Sequence, residues 1–259
     1  MPLRSRCVTV KLMKRNTAII LLALLFFPVF TSCTARINGA LLRDGQADLN
    51  VYAALEPRMT MLIGGLAAAA GSLQPGAPIL NGPSISASMS AAPGIASVSF
   101  KNVTPAVIEG PVKILHVGDF LKIGGLAGEK QDSQSPGFIK FEQNPAGGRC
   151  TINLNRDSGP EILNLISPEV GVYLSALMAP IATGETLTKA DYLMLVSSVY
   201  GRGISDEIAK AAILAYIDFP GSVSSVKGGT FSGRRAEFNV PLVDLLVLET
   251  PLSYEVLWK

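Results

Sequence analysis

Apolar and polar positions change period several times along this chain. A continuous apolar run, Ala18 to Phe30, comes first. Ile37 to Arg43 and Gln46 to Ala53 then alternate around Asp44-Gly45, which predicts a β-hairpin because Gly accepts the positive φ of a tight turn. Glu56-Pro57 opens a helical stretch from Met59 to Leu73, with Pro tolerated in the first turn. Residues 71–94, rich in Gly, Pro, Ser and Ala, read as a loop-rich linker to a strand from Ile95 to Val103. Short β-branched or aromatic runs follow at Val112 to Val117, Phe120 to Ile123, Phe138 to Phe141 and Cys150 to Leu154, separated by Gly-rich turns.

The period then becomes helical. Pro160-Glu161 and Ser167-Pro168-Glu169 have the form of helix starts, and Val170, Tyr173, Leu174, Leu177 and Met178 make a one-sided stripe. Thr188-Lys189-Ala190-Asp191 predicts a capped helix whose Tyr192, Leu195, Val196 and Val199 face together. Ser205-Asp206-Glu207 predicts the cap of another that runs to about Ile217. Strands return at Val223 to Val226, at Ala236, Phe238 and Val240, and at Leu252 to Trp258. The pattern as a whole predicts an α+β fold: a largely antiparallel sheet packed on helices, with a helical insertion near residues 158–217.

Composition changes the picture at the N-terminus. Residues 1–32 hold five basic groups and no acid ahead of Thr31-Ser32-Cys33, the make-up of a cleaved signal peptide, and the apolar run is short for a membrane span. Met13 begins a more compact version of the same segment, so the sequence leaves open whether Met1 or Met13 is the start. The chain of 259 residues has a net charge of +2, but from residue 33 onward 17 basic groups face 20 acidic ones. That balance excludes a nucleic-acid partner. Residues 33–259 are expected to form one domain. Charged residues make up only 16% of the chain, against about 25% for an average soluble domain. Much of the deficit lies between Met59 and Phe100, where 42 consecutive positions carry no charge.

Phe30-Thr31-Ser32-Cys33 resembles the lipobox of bacterial lipoproteins, in the relaxed form seen in spirochaetal ones: Phe30 stands where the family prefers Leu, Val or Ile. The resemblance implies cleavage before Cys33 and acylation, palmitate included, at that residue. Two or three acyl chains, each methylene contributing about 0.8 kcal/mol, hold a protein on a membrane where one chain does not. Thr34 is not the Asp of an inner-membrane retention signal, so the expected address is the cell envelope, with the outer membrane or surface favoured and the domain facing the periplasm or the exterior. The Gly39 hairpin after this Cys, Ala92-Pro93-Gly94-Ile95 and Phe219-Pro220-Gly221-Ser222-Val223 followed by Gly229 resemble the LppM-type domain of bacterial lipoproteins. The likeness implies a sheet packed on a helix and contact with lipid or other apolar partners. The helical block is larger than such a domain needs, and no C-terminal membrane helix follows.

Catalytic chemistry has little to stand on. His116 is the sole histidine, no Gly-x-Ser-x-Gly elbow is present, and one His with an isolated Cys150 gives no metal-ligand spacing. His116 is expected to be a half-buried structural residue and Cys150 an inert core thiol. The expected function is non-enzymatic binding or scaffolding at the envelope, without a cofactor, with lipid or another envelope protein as partner. One alternative is carriage of a lipid or hydrophobic ligand in a groove lined by Leu174, Leu177, Leu195 and Val196; the other is a hydrolase using His116.

Overall fold

The computed structural model describes residues 33–69, 77–90, 94–117, 138–159 and 173–259. Twelve strands are described, in two sheets. In chain order they are β1 Cys33–Leu41, β2 Ala47–Ala54, β3 Ile95–Val98, β4 Lys101–Thr104, β5 Val107–Ile114, β6 Ile139–Asn144, β7 Gly147–Leu154, β8 Ala212–Asp218, β9 Val223–Lys227, β10 Gly229–Ser232, β11 Arg235–Pro241 and β12 Leu252–Trp258. The larger sheet has the order β10-β11-β8-β1-β2-β5-β3, with β4 also on β5; the smaller is β6-β7-β12-β9. All pairs are antiparallel except β1 with β8, which run side by side in the middle of the larger sheet. Besides a 3-10 turn at Arg156–Ser158 and a helical turn over residues 173–176, the described helices are α1 Pro57–Ala69, α2 Gly82–Ser90, α3 Pro180–Thr183, α4 Lys189–Tyr200, α5 Arg202–Lys210 and α6 Leu242–Val247. The α+β architecture expected from the sequence is the one observed.

Four apolar clusters hold these elements together. The first is helical and joins Met59 and Ile63 of α1 to Tyr192 and Val196 of α4, Ile204 and Ile208 of α5 and Val243, Leu246 and Val247 of α6. A second seals the two sheets through Leu41, Ala236, Val223, Val256 and Trp258. A third packs Ile85 and Met89 of α2 on Ala47, Ile108, Val112 and Ile114. The fourth sets Leu248, just beyond α6, against Phe138 and Leu154 at the smaller sheet. Gly228, at φ +77°, bends the chain between β9 and β10 and so passes it from one sheet to the other.

Several expectations are corrected. The linker reading of 71–94 fails at Gly82–Ser90, which is helical: Asn81 Oδ1 accepts the Ser84 N–H as an N-cap, and packing of Ile85 and Met89 supplies the stability that Ser and Gly withhold. Residues 71–76 and 91–93 of that segment lie outside the described residues. The single strand Ile95 to Val103 is two strands, interrupted at Ser99-Phe100 so that Phe100 turns into the core. The helical block does not reach residue 217. It ends at Lys210, and Ala212–Asp218 is β8, whose apolar run of six is too short to tell strand from helix by periodicity alone. Helix starts expected at Pro160 and Ser167, and the strand expected at Phe120 to Ile123, lie outside the described residues.

Capping shows where sequence spacing works and where it misleads. Thr188 Oγ1 accepts the Asp191 N–H at 3.1 Å, as its spacing predicts. Ser205-Asp206-Glu207 instead lies inside α5, which begins at Arg202 after Gly201 at φ +89°. The Glu207 carboxylate accepts the Arg58 and Met59 N–H groups at 3.1 and 2.8 Å, so it caps α1, about 150 residues earlier. Tyr192 is fully buried, and its hydroxyl has no hydrogen-bond partner among the described residues. Burial also raises its pKa. Tyr192→Phe removes an unsatisfied polar group, and thermal melts are expected to show equal or higher stability, by up to about 1 kcal/mol.

Candidate functional site

The two faces of the larger sheet differ in chemistry. Paired residues of adjacent strands point the same way, so the register gives each face row by row. On the outer face Glu109, Tyr52, Arg36, Leu214 and Asn239 lie across β5, β2, β1, β8 and β11. The next row is Pro111, Asn50, Asn38, Tyr216 and Glu237, and the third is Lys113, Asp48, Ala40, Asp218 and Arg235. None of these side chains is buried. Lys113 meets Asp48 at 3.6 Å, and Arg235 grips both oxygens of Asp218 at 2.9 and 2.8 Å, holding that carboxyl below the usual range. This is the solvated side of an antiparallel sheet, and exposed pairs of this kind contribute little to stability.

The inner face is apolar. Its rows are Ile108, Ala53, Ala35, Ile213 and Val240, then Gly110, Val51, Ile37, Ala215 and Phe238, then Val112, Leu49, Gly39, Ile217 and Ala236. Helix α2 covers the β2/β5 side, and the smaller sheet covers the end that carries Leu41 and Ala236. Between these two lids Ile37, Ile213, Ala215 and Val240 are only half-buried, and among the described residues they join none of the four packed clusters. An apolar patch left incompletely covered at the centre of a large sheet makes this face the candidate site.

The residues singled out in the sequence lie elsewhere. Leu177 and Val196 are buried together in the helical cluster, Leu174 packs against it, and Leu195 is half-buried on α4. His116 is exposed after the end of β5, its ring near Gly45 of the β1–β2 turn, and so is not half-buried as expected. Cys150 of β7 packs into the cluster between the sheets, where burial pushes its thiol up to about 11. A thiol in that state is a weak nucleophile at neutral pH. Cys33 opens β1. The inner-face residues Ile213 and Ala215 were hidden by their place in a presumed helix. Their only signal was the alternation with Leu214, Tyr216 and Asp218.

Surface hollows lie elsewhere among the described residues. One of about 590 Å³ is bordered by Arg58, Met61, Tyr200, Arg202 and Asp206 between α1 and α5, and another of about 290 Å³ by Lys140, Glu142, Arg149, Thr151 and Asn153 on the outer side of the smaller sheet. Arg149 Nε donates to Glu255 Oε2 at 3.0 Å there and holds that carboxyl below its ordinary value. Among the described residues no three His, Cys, Asp or Glu side chains gather as metal ligands. No helix among them is long and apolar enough to cross a membrane.

No family model and no curated protein matches the chain. A solved structure that aligns with it is the NMR structure of the folded domain of the Mycobacterium tuberculosis LppM protein, at 12% sequence identity and a TM-score of 0.38, over 87% of this chain and 90% of that chain.

Proposed function

We propose that this chain is a lipid-anchored, non-enzymatic protein of the bacterial cell envelope, and that the apolar inner face of its larger sheet is its binding surface. The anchor rests on the order of basic segment, apolar run, small pair and Cys33 in residues 1–33. The binding surface rests on one observation: Ile37, Ile213, Ala215 and Val240 stay half-buried in the middle of the sheet while the rims of the same face are sealed. Leaving four apolar side chains partly in water forgoes about 25 cal/mol for each Å² left uncovered, a loss that a bound apolar chain would recover. The ligand chemistry that fits is hydrocarbon, with no charged group along its length, since the three inner rows carry no ionisable residue. Carriage would therefore use this face in place of Leu174, Leu177, Leu195 and Val196, two of which the helical core already buries.

Native mass spectrometry of the Cys33→Ala domain purified from its own cells is expected to show a retained apolar ligand, and Ala215→Phe, which fills the patch, is expected to lose it. A wild-type domain that is bare in the spectrometer and takes up no fluorescent fatty acid would favour scaffolding without a ligand. For the anchor, metabolic labelling with palmitate is expected to mark the wild type and not Cys33→Ala; equal labelling of both sinks the assignment.

A further inference from the structure

The proposed anchor leaves almost no spacer. Strand β1 begins at Cys33, and from Ala35 onward it is paired on both sides, with Ala53 of β2 and Ile213 of β8. Two residues of fully extended chain reach about 7 Å at most. We infer that the end of the larger sheet where β1 starts is pressed against the headgroups of the bilayer that holds the acyl chains, making this rim a membrane-contact surface. The inference rests on the lipid-anchor reading above.

The residues at that end suit the contact. Thr104 pairs with Val107 and Ala54 with Val107, which puts the β4–β5 turn level with the start of β1. The end of β4 shows Val103, 54% exposed, and the turn itself the exposed Pro105. Beside it α1 begins with Pro57 and Arg58, both exposed. The nearby Glu207 carboxylate is occupied by the Arg58 and Met59 N–H groups, so its charge is offset by the helix terminus it caps. This end therefore carries a small apolar turn with an exposed arginine beside it, its guanidinium lying along Gly203 of α5, a combination that interfacial surfaces use against anionic headgroups. At the other end of β1 the Asp44-Gly45 turn stands roughly 30 Å away, at about 3.4 Å per residue.

The test uses the full acylated chain in vesicles of phosphatidylethanolamine and phosphatidylglycerol, with a nitroxide at Val103→Cys or Asp44→Cys in a Cys150→Ala background. Collision with oxygen is expected to exceed collision with a water-soluble nickel chelate at position 103, with the reverse at 44. A ten-residue Gly-Ser insertion after Cys33 is expected to return the label at 103 to water. Intact mass reports acylation separately. Acylated protein with both labels equally in water overturns the inference and leaves the anchor standing. A label at 103 that ignores the insertion overturns the short tether as its cause. An unmodified Cys33 overturns the anchor, and the inference with it.

Discussion

Trp258→Ala is expected to lower the unfolding free energy by about 3–5 kcal/mol, the cost of emptying a buried aromatic site that cannot collapse. Although it is the next-to-last residue, Trp258 is 4% exposed. Its ring lies 4.8 Å from that of Phe219 and 6.0 Å from that of Phe141, and it packs over Gly148, where a Cβ would sit 2.2 Å from the indole. Phe219 follows the last residue of β8 in the larger sheet, Phe141 belongs to β6 in the smaller, and Trp258 ends the strand between β7 and β9. The indole therefore bolts one sheet to the other, and its loss loosens both sheets at the second cluster at once. Thermal melts should show Tm falling by roughly 6–20 °C for a domain of this size. A change below about 1 kcal/mol would mean that the sheets are held by the rest of that cluster without it.

The second large effect is expected at Gly110→Val. Gly110 sits in the middle of β5 opposite the break between β3 and β4, and a Cβ there would lie 1.9 Å from the Ser99 carbonyl oxygen. Backbone cannot swing aside as a flexible side chain can, so the crossing segment has to move. Overpacking of this kind costs about 3 kcal/mol, the top of its usual range. The exchange-protected amides of β3 and β4 should open first, because Ser99 N–H loses its bond to the Pro111 carbonyl and Phe100 loses its seat in the core. Gly65→Ala is the control. It lies in α1 with open space around its Cβ position, and replacement there should stabilise by up to about 1 kcal/mol. If the two substitutions have effects of the same sign, the close approach at Gly110 is not what shapes this edge.

Much of the frame was legible because short-range rules decided it. The Asp44-Gly45 turn, the Thr188 cap and the alternation that buries Val256 and Trp258 each follow from a few neighbouring residues. What was not legible depended on partners far along the chain. Glu207 caps a helix near residue 57, which no local motif announces, and Ser99-Phe100 breaks a strand because of a glycine eleven residues later that is opposite only in the folded sheet. Ala212–Asp218 took a helical reading because it follows two helices and is apolar up to Asp218; only its place between β11 and β1 makes it a strand. The candidate face shared that fate. Half of its apolar centre lies on β8, and only the folded sheet sets Ile37 beside Ala215.

The parallel pairing of β1 with β8 also sets an order of events in time. If the chain is exported and acylated as proposed, the segment beside the acylated residue forms a central strand, but its neighbour on one side lies about 178 residues further along. Loop closure over that distance is slow, so β1 waits with one edge unpaired, held only by the β2 hairpin. Acylation at Cys33, as proposed, needs the thiol and the peptide bond before it free of neighbouring strands, a condition met during this interval and lost once Ala212 docks beside it. Maturation and folding are then sequential, with the lipid attached to a nascent hairpin and the sheet completed on the membrane surface.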